Sequence, residues 1–185
     1  MSKHLALAVL LAFAAVPVFA GDIVGTVNYT GKVPNLKPIA MNADPGCAAK
    51  HKTPVANEAL VLGPGNTMAN VMVRVKSPVQ GNFPVPAKPA VIDQKGCQYI
   101  PHVIGIRVGQ TLQLKNSDGL LHNVHALPKV NTPFNMAMPA NRTTADTKFG
   151  KAEGMFLVKC DVHPWMAAYV GVFTNPFFAV SAKDG

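Results

Sequence analysis

Short runs of alternating apolar and polar residues, closed by glycine or proline, constrain this chain more than any other feature. Asn70–Lys76 reads Asn-Val-Met-Val-Arg-Val-Lys and Thr111–Lys115 reads Thr-Leu-Gln-Leu-Lys. A period of two sends successive side chains to opposite faces, the mark of a half-buried β-strand. In the first run it puts Val71, Val73 and Val75 on one face. Further strands are expected at Ile23–Tyr29, Ala59–Leu62, Ala90–Asp93, Val103–Val108, Leu121–Ala126, Gly154–Cys160 and Met166–Phe173. Residues 34–58, 77–89 and 128–147 read as connections, with no helix beyond a turn or two near Cys47–Lys52. Glycine (15) and proline (16) are abundant among the 185 residues, and glutamate occurs only at Glu58 and Glu153. Surface helices are built largely from Glu, Lys, Ala and Leu, so this balance argues against a helix bundle. At 49% hydrophobic residues the chain is not of disordered composition. The class expected is an all-β sandwich or barrel.

The N-terminus reads as an export signal. Lys3 and His4 precede an unbroken apolar run from Leu5 to Val16, and Val18-Phe19-Ala20 offers small residues for cleavage after Ala20. Twelve residues give about 18 Å of helix, too short for a hydrocarbon core of roughly 30 Å, so no membrane span is expected. Cleavage would leave residues 21–185 and, with Lys3 removed, lower the net charge from +8 to +7. The expected location is the periplasm.

Export changes how the cysteines read. Of the three, Cys47 and Cys97 sit in turn-like contexts, Asp44-Pro45-Gly46-Cys47 and Lys95-Gly96-Cys97. In an oxidising compartment they are expected to pair. A rival reading gathers Cys47, His51, Cys97 and His102 around a metal, but those spacings are not specific. Cys160 is then the odd thiol.

The chemistry concentrates in Cys160-Asp161-Val162-His163-Pro164-Trp165-Met166 and His122-Asn123-Val124-His125. A thiolate, two imidazoles and a thioether are soft or borderline ligands, and together they favour copper. A strand ending at Cys160 points its sulfur off the end of the sheet. Pro164 keeps the next turn tight, so that His163 and Met166 can return to the same ion. A further ligand must come from a distant loop. His122 and His125, three apart in an extended segment, face opposite ways.

These motifs resemble the cupredoxins, the small blue copper proteins. The C-x2-H-x2-M loop is similar to that of amicyanin, and His-Asn-Val-His to the first-ligand loop of amicyanin and plastocyanin. The stretch 108–124, VGQTLQLKNSDGLLHNV, is similar to the strand and loop preceding that histidine. The resemblance spans residues 97–175. The whole chain resembles plastocyanin-like proteins associated with methylamine utilisation. It implies a cupredoxin-like Greek-key β-sandwich over residues 85–185, with residues 21–84 as an N-terminal β extension packed on the same sandwich. It implies one type 1 copper held by His122, Cys160 and His163 with Met166 axial. Asn123 matches the residue that ties the two ligand loops together, and His125 is left a structural role.

The function this implies is one-electron transfer. The edge of His163 should reach the surface in a docking patch framed by Pro164, Trp165 and Met136. The basic charge suits redox partners with acidic docking surfaces, and a monomer is expected. An alternative is copper binding and delivery with the same ligands, for which Met136 and Met138 could add thioethers. An enzyme is not expected: multicopper oxidases and copper nitrite reductases need further histidines, and this chain has six, one of them in the export signal, with no His-x-His pair. The charge is scattered without a basic stripe, so nucleic acid is not an expected partner.

Overall fold

A computed structural model of the chain describes residues 21–185; the expected export signal lies outside the described residues. The fold is all-β. Eleven strands run in chain order: β1 Met72–Arg74, β2 Ala90–Gln94, β3 Tyr99–Ile100, β4 Val103–Arg107, β5 Thr111–Asn116, β6 His122–Ala126, β7 Phe134–Met138, β8 Thr144–Lys148, β9 Glu153–Lys159, β10 Ala167–Phe173 and β11 Phe178–Val180. A five-stranded sheet, ordered β4-β10-β9-β6-β7, packs on a four-stranded sheet, β3-β2-β5-β8. β10 runs parallel to β4, and β2 parallel to β5; the other pairs in these sheets are antiparallel. β1 and β11 form a separate two-stranded ribbon.

The core lies between the two sheets. β5 alternates as its sequence demands, with Leu112, Leu114 and Asn116 buried and the residues between them half-exposed. From the facing sheet come Val124, Ala126, Phe156, Val158, Val170 and Val172. Burying a side chain of this size contributes about 1.5–3 kcal/mol, so the two inner faces carry most of the stability.

The ends of the chain's expectations differ from the structure. Ile23–Tyr29 is not a strand: it makes one isolated bridge, Asn28 to Thr67, and Ile23 and Val24 are 89% and 92% exposed. Ala59–Leu62 likewise reduces to the bridge from Leu62 to Met68. Without a neighbouring strand, β-propensity alone does not order a segment. In β1 the expected face is broken, because Val73 is 50% exposed. The connection 128–147 holds β7 and the start of β8, and β3 and β11 are also additional. β7 and β8 are edge strands of their sheets, so they carry polar residues such as Asn135, Thr144 and Asp146 that hide the strand signal.

From the N-terminal segment, Met41 and Cys47 join the core cluster. A short helix, α1 (Pro45–Ala48), starts with Asp44 as its cap: Asp44 Oδ1 accepts from the N–H of Gly46 (2.7 Å) and Cys47 (3.2 Å). Cys47 is joined by a disulfide to Cys97, across a separation of 50 residues. Cys97 sits in the tight turn between β2 and β3, where Gly96 (φ +64°) and Cys97 (φ +51°) are both left-handed. Two consecutive positive φ values are the signature of the turn whose twist matches a hairpin.

Candidate metal centre

Antiparallel pairing of β6 with β9 sets His125 opposite Lys159, so the start of β6 and the end of β9 meet at one end of the sandwich. His122 opens β6, and Cys160 follows β9. The loop 160–166 closes on itself, since the Cys160 N–H donates to Met166 O (3.2 Å) and the Met166 N–H to His163 O (2.9 Å). His122, Cys160, His163 and Met166 are all buried there. His122 Nδ1 lies 2.9 Å from His163 Nδ1, and Cys160 Sγ lies 3.8 Å from His163 Nδ1. The three donor atoms fall within 4.8 Å of one another.

Each imidazole meets a carboxylate with its far nitrogen. His122 Nε2 is 3.0 Å from Asp118 Oδ2, and His163 Nε2 is 2.9 Å from Asp44 Oδ2. A carboxylate only accepts, so both Nε2 atoms carry protons and donate. In two neutral rings both Nδ1 lone pairs would then face each other at 2.9 Å. That contact is repulsive unless a cation, a proton or a metal ion, stands between them. A shared proton satisfies this contact, and the donor set also fits a single small ion with nitrogen and sulfur ligands. Carboxylates behind ligating histidines fix the tautomer and raise ring basicity.

The charges around the site fit this picture. Burial opposes the ionised form of Asp118, but hydrogen bonds from His122 and the N–H groups of Cys97 (2.8 Å) and Gly96 (2.7 Å) pull its carboxyl down to about 2. Lys50 Nζ from the N-terminal segment adds a contact at 3.4 Å. For His122, burial favours the neutral ring, yet the bond to Asp118 and the Cys160 thiolate hold it up at about 9. Burial likewise opposes the Cys160 thiolate, and hydrogen bonds with His122, Asn123 and His163 bring the thiol down to about 7. Asp44 is held below the ordinary carboxylate range, chiefly by its bond to His163.

Asn123 connects the two loops. Its Oδ1 accepts from the N–H of Asp161 (2.7 Å) and Val162 (3.3 Å) and from the Cys160 thiol (3.3 Å). Its Nδ2 donates to Asn135 Oδ1 (2.6 Å) and Asp161 Oδ2 (3.2 Å). His125 points away from the site and bonds Asp161 Oδ2 at 2.9 Å. Underneath, the buried Tyr99 hydroxyl donates to Asn123 O (2.5 Å).

The outer edge of His163 is not at the surface. The ring is 1% exposed, because α1 and Asp44 cover it. The disulfide lies behind both imidazoles: Cys47 Sγ groups with Asp44 and His163, and Cys97 Sγ with Asp118 and His122, each set within 4.8 Å. Trp165 packs on His163 with ring centroids 5.1 Å apart, and its indole N–H donates inward to Cys97 O (3.1 Å). Pro164 is exposed, while Trp165 and Met136 are half-buried. Met136 and Met138 share the inward face of β7, where Met136 is half-buried and Met138 fully buried, so they do not form an exposed thioether pair. The rival four-residue metal set dissolves as well. Its cysteines are bonded to each other, His51 Nε2 bonds Gly96 O (2.7 Å), and His102 Nδ1 bonds Ala167 O (2.9 Å).

Two functional side chains escaped the sequence reading. Asp118 lies in Asn-Ser-Asp-Gly, which looks like an ordinary turn. Asp44 carried a signal, since Asp-Pro-Gly is a helix-start pattern, but nothing local pairs it with a residue 119 positions away.

No family model and no curated protein matches the chain. Among solved structures it is similar to a copper(I) form of an amicyanin variant, at 24% identity, TM-score 0.42, over 48% of this chain and 86% of that one. It is also similar to a purple cupredoxin from Nitrosopumilus maritimus, at 23% identity, TM-score 0.38, over 45% and 99%. A copper-containing nitrite reductase from Thermus scotoductus matches at 21% identity, TM-score 0.39, over 55% of this chain and 25% of that one. At such TM-scores these likenesses carry no weight for the site, which stands on its own geometry.

Proposed function

We propose that this chain is an exported cupredoxin-like protein that carries single electrons on one type 1 copper. His122 Nδ1, His163 Nδ1 and Cys160 Sγ would hold the ion, with the Met166 thioether as a further ligand. Copper supplies the chemistry by cycling between its +1 and +2 states. The observation that supports this reading is the pair of ring nitrogens 2.9 Å apart beside a thiolate, each ring backed by a carboxylate.

The protein's own contribution is to hold these donors still. Asp118 and Asp44 orient the rings, Asn123 pins the Cys160 loop, and burial of all four side chains excludes water. A site that does not rearrange suits both oxidation states. The plastocyanin and amicyanin type is the nearest pattern for the ligand loop, and residues 21–84 act as one structural unit with residues 85–185. Partners are redox proteins with acidic faces. Of the expected docking patch, Pro164 is presented outright, with Trp165 and Met136 at its margin; the exposed Val162 and Leu121 flank His163 and His122 in the chain. Among the described residues no helix is long and apolar enough to cross a membrane.

The test is a visible spectrum of the protein loaded with copper(II). An intense thiolate-to-copper band that disappears in Cys160→Ser supports the proposal; a colourless protein, or a band that survives the substitution, refutes it. Copper delivery with the same ligands predicts rapid loss of the ion to a chelator, whereas an electron carrier retains it in both oxidation states.

A further inference from the structure

Beside the ligand loop lies a solvent-open cleft of about 710 Å³, formed where the N-terminal segment meets β4 and β10. Ile39, Leu60 and Trp165 are among its apolar lining residues, and Lys37, Glu58, His102 and Tyr169 among its polar ones. Its volume suits a small molecule, and apolar walls beside polar groups are a combination found in ligand sites.

Two details define the occupant. Trp165 directs its only polar atom away, into the bond with Cys97 O, so what it offers the cleft is carbon surface for a flat ring. Glu58 supplies an acceptor. Its Oε2 takes a hydrogen bond from Gln98 Nε2 (3.2 Å) and lies 3.4 Å from His102 Nδ1, leaving lone pairs for an incoming hydroxyl. His102 is held edge-on to Tyr169 with ring centroids 5.5 Å apart, so this polar corner is fixed.

The position matters because the edge of His163 is covered. Trp165 lines the cleft, and its ring also packs against His163. We propose that the cleft binds a small hydroquinone-class molecule, its ring against Trp165 and a hydroxyl donating to Glu58. This rests on the copper reading above. With copper(II) held at the centre as the oxidant, the ligand would be the reductant: for each copper reduced it would lose one electron, by way of Trp165 and His163, and one hydroxyl proton, to Glu58, and the semiquinone so formed would reduce a second copper(II) protein.

Binding is tested on the metal-free protein, under anaerobic conditions, by NMR titration with trimethylhydroquinone. The chain has one tryptophan, so one indole N–H signal reports on the cleft. Saturable shifts of the Trp165 signal are expected, with binding weakened about tenfold in Glu58→Gln and for the dimethyl ether of the same ligand, which has no donor. Ala59→Phe, which fills the mouth, should weaken it at least as much. Shifts that never saturate, or that are the same for the ether and for Ala59→Phe, overturn the proposal. A second arm uses the copper(II) protein. Ala59→Phe should slow reduction by the hydroquinone and leave reduction by hexaammineruthenium(II) unchanged; equal slowing, or none, counts against the cleft. If no copper colour develops, the copper reading fails while the NMR result stands by itself; if colour develops without cleft binding, only the present inference fails.

Discussion

Replacing Asp118 by asparagine tests whether one buried carboxylate holds the inner side of the metal centre. The Asp118 side chain is 2% exposed, and it accepts from three donors: the Gly96 N–H at Oδ1, and the Cys97 N–H and His122 Nε2 at Oδ2. Its carboxyl sits at about 2 against an ordinary 3.8, which corresponds to about 2 kcal/mol of native stability. Asparagine has the same shape but presents an amide NH2 on one side. Turned either way, that group faces at least one N–H donor. A buried donor left without an acceptor costs about 1–3 kcal/mol, so the metal-free variant should lose roughly 2–4 kcal/mol. Urea unfolding followed by Trp165 fluorescence reads this directly. The pH dependence carries the sign. The native carboxyl is depressed, so its contribution is complete above about pH 4 and disappears as the pH falls toward 2. The parent protein should therefore lose more stability between those values than Asp118→Asn does. A variant within about 0.5 kcal/mol of the parent, or one with the same acid slope, would show that the carboxylate is incidental.

Asp44→Ser keeps an oxygen to cap α1 but cannot reach His163; the buried Nε2–H left without an acceptor should cost about 1–3 kcal/mol in a thermal melt, and copper affinity, measured by chelator competition, should drop about 10- to 100-fold; unchanged affinity removes Asp44 from the site. Cys47→Ala combined with Cys97→Ala opens a 50-residue loop and should cost up to about 4 kcal/mol in a thermal or denaturant melt. Asn123→Ala releases the backbone of Asp161 and Val162, and copper should leave at least about tenfold faster in stopped-flow exchange; an unaltered off-rate would mean that the loop is held without it.

What the sequence discloses depends on how far apart the interacting parts lie. Cys160, His163 and Met166 fall within one tight loop, so their spacing alone suggests convergence; in the structure that loop closes on itself through backbone bonds, with Cys160 Sγ 3.8 Å from His163 Nδ1. His122 needs only the neighbouring strand, and its Asn123 marks it apart from His125. β5 is legible because both its alternation and its burial follow a period of two. Ile23–Tyr29 is also rich in β-branched residues, yet it finds only the bridge from Asn28 to Thr67, which its residues cannot reveal. β7 and β8 err in the opposite direction: edge strands face water on one side, and their polar residues resemble a connection. The cover over His163 was beyond local reading altogether. It depends on a helix of four residues, a bridge spanning 50 positions, and a carboxylate 119 positions from the ring it caps.

The bridge behind the two imidazoles also ties the redox state of the N-terminal segment to the shape of the metal centre. While Cys47 and Cys97 are thiols, nothing covalent keeps α1 over His163. Once the bridge closes, Asp44 is held against the outer nitrogen of that ring. On the copper reading proposed above, the approach left to an ion in the oxidised protein is the opposite side of the sandwich end, past the exposed Leu121 and Val162.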